Sequence, residues 1–183
     1  MKFKYDLTYY EKMLRQNSAT AEKICKIRWS FVEEAITLHD KGRIVNVLDY
    51  GSGVGWFRAF APFNVSVDTY DIGNYPKTGI NHRQYNLITF FDVLEHIENF
   101  DEISELASVA DYIAVTVPIV PSKCNLKKWK HFKPYEHLHY FSEKDLISLF
   151  EYIDFELVKK GTPECPPRKD VMSFLFKNKG GRS

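Results

Sequence analysis

The chain has 183 residues, 44% hydrophobic and 27% charged, which suits one water-soluble globular domain over 1–183 and excludes a disordered or fibrous chain. Twenty-five Lys and Arg against 24 Asp and Glu leave a net charge of +1, so the chain as a whole carries no polyanion-binding signature. Cys25, Cys124 and Cys165 lack CxxC spacing, the N-terminus is too charged for a signal peptide, and no apolar run reaches about 18 residues, so the reading is a cytoplasmic protein without membrane association.

Residues 1–42 read as a helical cover. Ser18 and Thr20 can cap a helix in which Ile24, Ile27, Phe31, Ala35 and Leu38 recur at helical spacing. After Gly42, residues 44–49 form a β-branched apolar run that breaks at Gly51, as a buried parallel strand does. Val65, Val67 and Thr69 alternate toward Asp71 and the loop signal GNYP, giving a second strand. A third apolar run covers 85–91, followed by a helix with Ile103, Leu106, Ala107 and Ala110 on one face. Residues 112–117 make a further buried strand. Ser142 opens SEKD, a capping-box start for a helix carrying Leu146, Leu149, Phe150 and Ile153 on its inner side. Two strands follow, 155–158 and 171–176, joined by a loop containing Pro163, Pro166 and Pro167 that suits a wide hairpin. The tail 179–183 reads as disordered. Alternating strands and helices imply an α/β three-layer sandwich over 44–178, mostly parallel, with a C-terminal antiparallel hairpin.

The sequence VLDYGSGVG places Asp49, Gly51, Ser52, Gly53 and Gly55 where the first strand turns toward a helix. Glycines there let the backbone turn tightly and expose its N–H groups to a ligand, although a tight turn needs them too. Asp71 ends the second strand about 20 residues on, where a carboxylate can accept hydrogen bonds from both ribose hydroxyls; Asp68 competes with it for that position.

These residues resemble the first motif, DxGxGxG, of the Rossmann-like S-adenosylmethionine (SAM)-dependent methyltransferases. FFDVLEHI (90–97) is similar to the family's segment bordering the methionine end of the cofactor, and 135–158 to its last helix in a small-methyltransferase subgroup. The resemblance implies SAM as cofactor, S-adenosylhomocysteine (SAH) as product, and Phe91, Asp92 and Leu94 along the cofactor pocket. Asp92 is equally suited to be a helix N-cap. A loop without the GxGxxG spacing favours SAM over NAD, since no pyrophosphate needs a helix N-terminus. Only thirteen residues separate Asp71 from Tyr85, too few for the usual crossover helix and strand, which alone need about 10–12 for the crossover. The edge after the second strand is therefore shortened, and Asn86 or Asn81 would replace the adenine-binding residue.

Arg28 could clamp the methionine carboxylate bidentately. His96, beside Glu95, and His137 are the candidate catalytic bases; Glu95 and His96 also suit a solvated pair at a helix start. Residues 121–141 interleave Lys123, Lys127, Lys128, Lys130 and Lys133 with Trp129, Phe132 and Tyr135, a candidate acceptor lid for a small molecule, with nucleic acid as a second possibility. His131, Glu136, His137 and His139 are metal-ligand types, but no companion cluster is visible and no metal is expected; His137 and His139 read as flanking a core Leu138. The rival readings are a non-catalytic binding module, a nucleic-acid methyltransferase, which lacks its NPPY or DPPY motif here, and an NAD-dependent oxidoreductase.

Overall fold

The computed structural model describes residues 7–15, 18–37, 42–73 and 83–180. In chain order it contains α1 (Leu7–Leu14), α2 (Ser18–Phe31), α3 (Glu33–Thr37), β1 (Val45–Tyr50), α4 (Trp56–Ala59), β2 (Val65–Tyr70), β3 (Tyr85–Phe91), α5 (Asp101–Ala107), β4 (Ala110–Pro118), α6 (Glu143–Tyr152), β5 (Phe155–Gly161) and β6 (Val171–Asn178). The six strands form one sheet in the order β2-β1-β3-β4-β6-β5. β1 to β4 are mutually parallel, and β6 runs antiparallel to both β4 and β5.

β3 and β4 are nearly continuous buried runs because helices cover both of their faces. On one face α5 and α6 bring Ile103, Leu106, Leu146 and Phe150 onto Leu48, Ile88, Phe90, Ile113 and Phe176. Phe150 stacks on Phe176 with ring centroids 4.4 Å apart. On the other face α2, α3 and α4 set Cys25, Trp29, Val32, Ile36 and Phe57 against Val45, Val47, Leu87 and Ala114, with Trp29 stacked on Phe57 at 3.9 Å. The result is the expected three-layer α/β sandwich with an antiparallel hairpin. β2 is an edge strand among the described residues, as the short interval before Tyr85 requires.

Several details differ from the sequence expectations. α1 lies within the expected 1–42 helical cover but was not predicted as a helix of its own. The long N-terminal helix breaks at Val32 into α2 and α3, and α2 buries Ala21, Cys25 and Trp29, leaving Ile24 and Ile27 partly exposed. Ala110 opens β4 instead of closing α5, while Ile44 lies outside β1 and is 68% exposed. The capping box at Ser142 is present in both directions with Asp145. Lys179 and Gly180 are tied by backbone bonds to the Asp154 carbonyl and the Asn178 side chain. Leu38, Asn81, most of the GNYP loop and 181–183 lie outside the described residues.

Candidate functional site

The glycine loop follows β1 at the carboxyl end of the parallel strands, where open α/β sheets bind ligands. The Gly51 and Ser52 amides both donate to the Tyr70 carbonyl, at 2.7 and 3.0 Å, so the ends of β1 and β2 are fastened together. Gly51 has φ +75, and a Cβ there would lie 2.3 Å from Val93 Cγ2, so only glycine fits between loop and β3. Gly53, at φ +55, donates its amide to Asp71 Oδ2 at 2.7 Å. Asp71 Oδ1 accepts from the Gly73 amide at 3.0 Å and from the Tyr10 hydroxyl. Asp68, the competing acid, instead faces Tyr85 Oη at 2.9 Å and Arg83 at 3.0 Å. Asp71 is thus the carboxylate that meets the loop.

α1 lies over this loop. Tyr10 is buried, its ring packs where a Gly73 side chain would stand, and Met13 Cε would touch a Cβ on Gly53 at 2.9 Å. Burial, then the negative charges of Asp71, Asp92 and Glu136, raise the neighbouring Tyr9 phenol above its ordinary value. Asp49 is buried below the loop and accepts from Thr89 Oγ1 at 2.8 Å. Burial pushes its carboxyl up to about 7.

Asp92 follows β3 with φ +61, and two guanidinium groups hold it. Arg28 Nη2 reaches Asp92 Oδ2 at 2.8 Å and Arg28 Nε reaches Glu164 Oε1 at 2.7 Å. Arg168 bridges the same two acids at 2.5 Å each. Against the cost of burial, Arg28 and then Arg168 hold Asp92 below the usual carboxylate range. Two cations and two anions close a neutral network, which is what lets charges persist in a poorly solvated place.

Next to it, Glu95, His96 and His137 each place a potential ligand atom within 4.8 Å of the others. The chain holds them through the Glu95 carbonyl, which accepts from the Leu138 and His139 amides at 2.7 and 3.2 Å. The His96 and His137 rings meet edge to face at 4.9 Å. Burial lowers both imidazoles, and with the neighbouring His96 brings His137 down to about 4. Glu95 is pushed up to about 8 by burial and then by Asp92.

A family profile described as a methyltransferase domain matches residues 13–160. The chain belongs to that family. No curated protein sequence matches it. Among solved structures it is similar to a putative sarcosine dimethylglycine methyltransferase from Galdieria sulphuraria, with 14% identity, TM-score 0.61, and 86% of this chain and 85% of that one covered. It is also similar to a SAM-dependent methyltransferase from Clostridium acetobutylicum ATCC 824 (10% identity, TM-score 0.59, 84% and 91% covered). A third likeness is to magnesium protoporphyrin IX methyltransferase from Synechocystis PCC 6803 with bound SAM (17% identity, TM-score 0.53, 89% and 84% covered). At these identities the likeness shows the Rossmann-like methyltransferase fold.

In this methyltransferase domain Gly51, Ser52, Gly53 and Asp71 come together as the spacing implied, with Gly55 at the N-cap of α4. Asp92 and Arg28 meet each other. Phe91 is buried with Arg28 4.6 Å above its ring, and Leu94 is enclosed in the core. Asn86 sits at the opposite, amino end of β3 from the glycine loop, bonded to the Asn46 amide and Asp111. Leu138 is 50% exposed and His137 is buried, the reverse of the expected core leucine, because the backbone is pinned to Glu95. The companion cluster that the 121–141 histidines lacked in the sequence is Glu95 with His96, supplied across the chain. Tyr9, Tyr10, Glu164 and Arg168 were missed. The i, i+3 spacing of Tyr10 and Met13 was a visible helical signal, whereas no local pattern marks two charges in a proline-rich loop.

Proposed function

We propose that this methyltransferase domain binds SAM across the glycine loop and transfers a methyl group to a small-molecule acceptor held beneath the 121–141 segment. The observation that carries the reading is the Asp71 carboxylate at the end of β2, locked to the Gly53 amide. The residues fit the cofactor. Gly51 and Gly53 hold the positive-φ turn that brings the loop against Val93 and Met13, and Ser52 Oγ is buried with no hydrogen-bond partner among the described residues, an orphan that a ligand would satisfy. When bound, SAM supplies a sulfonium methyl open to direct displacement, with SAH as the product.

In this reading Asp71 accepts the ribose hydroxyls. Arg28 is already committed to Asp92 and Glu164, so its role is to fix Asp92 at the end of β3, not to clamp a carboxylate. For an oxygen acceptor, the neutral imidazoles of His96 and His137 are the groups placed to take the proton. The lid supports a small acceptor over a polynucleotide: Trp129 is buried and bonds Asp170 at 3.4 Å, and Phe132 packs against Tyr140 at 5.4 Å, leaving Tyr135 as the exposed ring.

Calorimetric titration with SAH tests the cofactor site. Asp71→Ala removes charge-assisted hydrogen bonds of about 1.5–3 kcal/mol, so affinity falls roughly 10- to 150-fold, with near-UV circular dichroism confirming that the variant is folded. Absence of SAH binding by the unmodified protein overturns the reading.

A further inference from the structure

The cluster of Glu95, His96 and His137 has a construction that proton transfer does not require. It combines two imidazoles and one carboxylate from residues 95–96 and 137, each offering one ligand atom, all within 4.8 Å. His96 donates Nδ1–H to the Glu136 carbonyl at 2.8 Å, which fixes the tautomer and makes Nε2, 4.0 Å from Glu95 Oε1, the coordinating nitrogen. Metal-binding histidines are oriented in this way, one ring nitrogen held by an outer carbonyl and the other turned to the ion.

The second observation is Glu95 itself. Its side chain is 4% exposed, and its Oε2 has no hydrogen-bond partner among the described residues. A buried carboxylate oxygen left unsatisfied keeps its desolvation cost unrelieved, and this one stands beside two imidazoles.

We propose that Glu95, His96 and His137 bind a divalent first-row transition-metal ion. Two nitrogens and one carboxylate favour such an ion over Mg2+ or Ca2+, which take oxygen sets. Ligand bonds of about 2.0–2.2 Å in a tetrahedral site space ligand atoms by roughly 3.4 Å, so the side chains close by about an ångström. Three protein ligands leave a position open, as in sites that bind a water or a substrate oxygen. Its use here rests on the methyltransferase reading: the open position holds an acceptor hydroxyl, which ionises near neutral pH on the metal. The proton then passes to solvent, so with the ion bound the histidines act as ligands, and they serve as bases only where no ion is bound.

Cobalt(II) is the probe. Untagged full-length protein freed of metal by chelator is titrated with Co2+ and followed by visible ligand-field absorption, with SAH titrated by calorimetry in the same samples. One equivalent of Co2+ is expected to give a low-symmetry spectrum. His137→Gln and the near-isosteric Glu95→Gln each weaken binding by more than about tenfold, since losing a ligand should cost no less than losing an outer-sphere partner. His139→Gln, whose ring bonds the Ile97 carbonyl instead, leaves binding unchanged. Equal Co2+ affinity in the unmodified protein and in both Gln variants, or no ligand-field spectrum, overturns the site. SAH binding without a Co2+ site overturns this inference alone; a Co2+ site without SAH binding overturns the methyltransferase reading and the acceptor role while leaving the ion.

Discussion

Asp49, 3% exposed, accepts a hydrogen bond from Thr89 and has no cation in contact among the described residues. Burial raises it from the ordinary 3.8 to about 7, whereas Asp92, set between two guanidinium groups, is lowered. Two acids at neighbouring strand ends are thus driven in opposite directions by what surrounds them. The sign of the Asp49 effect follows from linkage. Its folded value lies above its unfolded one, so its stabilisation is complete below about 4 and is lost as pH rises toward 7, because only the unfolded chain ionises freely in that window. Asp49→Asn keeps an acceptor for Thr89 and removes the titration. Urea unfolding at pH 4.5 and pH 8 is therefore expected to show the variant gaining on the unmodified protein at the higher pH, by on the order of 2–4 kcal/mol at most. A difference that stays constant with pH would show that Asp49 is ionised in the fold.

At the scale of elements, the strands were the most legible part of the chain. β3 was expected at 85–91 and lies there, because a run buried on both faces leaves no ambiguity of face. The Ser142 capping box was equally readable, its two partners being three residues apart. What escaped were elements fixed by distant contacts. α1 is only eight residues long, too short to be stable by itself, and its place depends on Tyr10 reaching Asp71 across 61 positions. That bond bears on ligand binding. In the proposed cofactor reading, the Tyr10 hydroxyl uses the carboxylate oxygen that a ribose hydroxyl would need, so SAH would have to displace it. Tyr10→Phe keeps the ring against Gly73 and removes the competitor, and titration is expected to show SAH binding tighter by about 2- to 12-fold, the equivalent of one hydrogen bond of 0.5–1.5 kcal/mol. Weaker binding would assign the hydroxyl to the liganded site.

Across the whole molecule, the sheet separates two apolar layers that depend on different parts of the chain. One is closed by α5 and α6, which lie within the strand sequence; the other is closed mainly by α2 and α3, which precede it. The candidate site joins them, for Arg28 of α2 neutralises Asp92 and Glu164 while the glycine loop and 121–141 supply the rest. This joining is why the glycine loop and Asp71 could be read from spacing, whereas the Arg28–Asp92–Arg168–Glu164 network and the Glu95–His96–His137 cluster could not: each needs partners brought together only by the closed sandwich. The dependence can be measured by truncation. Removing residues 1–15 takes away α1 and its cover over Gly53 and Gly73, but leaves both layers and the charge network, so cooperative urea unfolding and near-UV dichroism should persist. Removing residues 1–42 strips Trp29, Phe31, Val32 and Ile36 from the sheet at roughly 1.5–3 kcal/mol each, a total comparable to the whole stability of about 5–15 kcal/mol expected of a domain. It also leaves Asp92 and Glu164 facing Arg168 alone, adding an uncompensated buried charge. That shorter chain is expected to lose its near-UV signal and any cooperative transition; a cooperative transition in it would show that the remaining sheet and α5–α6 layer fold by themselves.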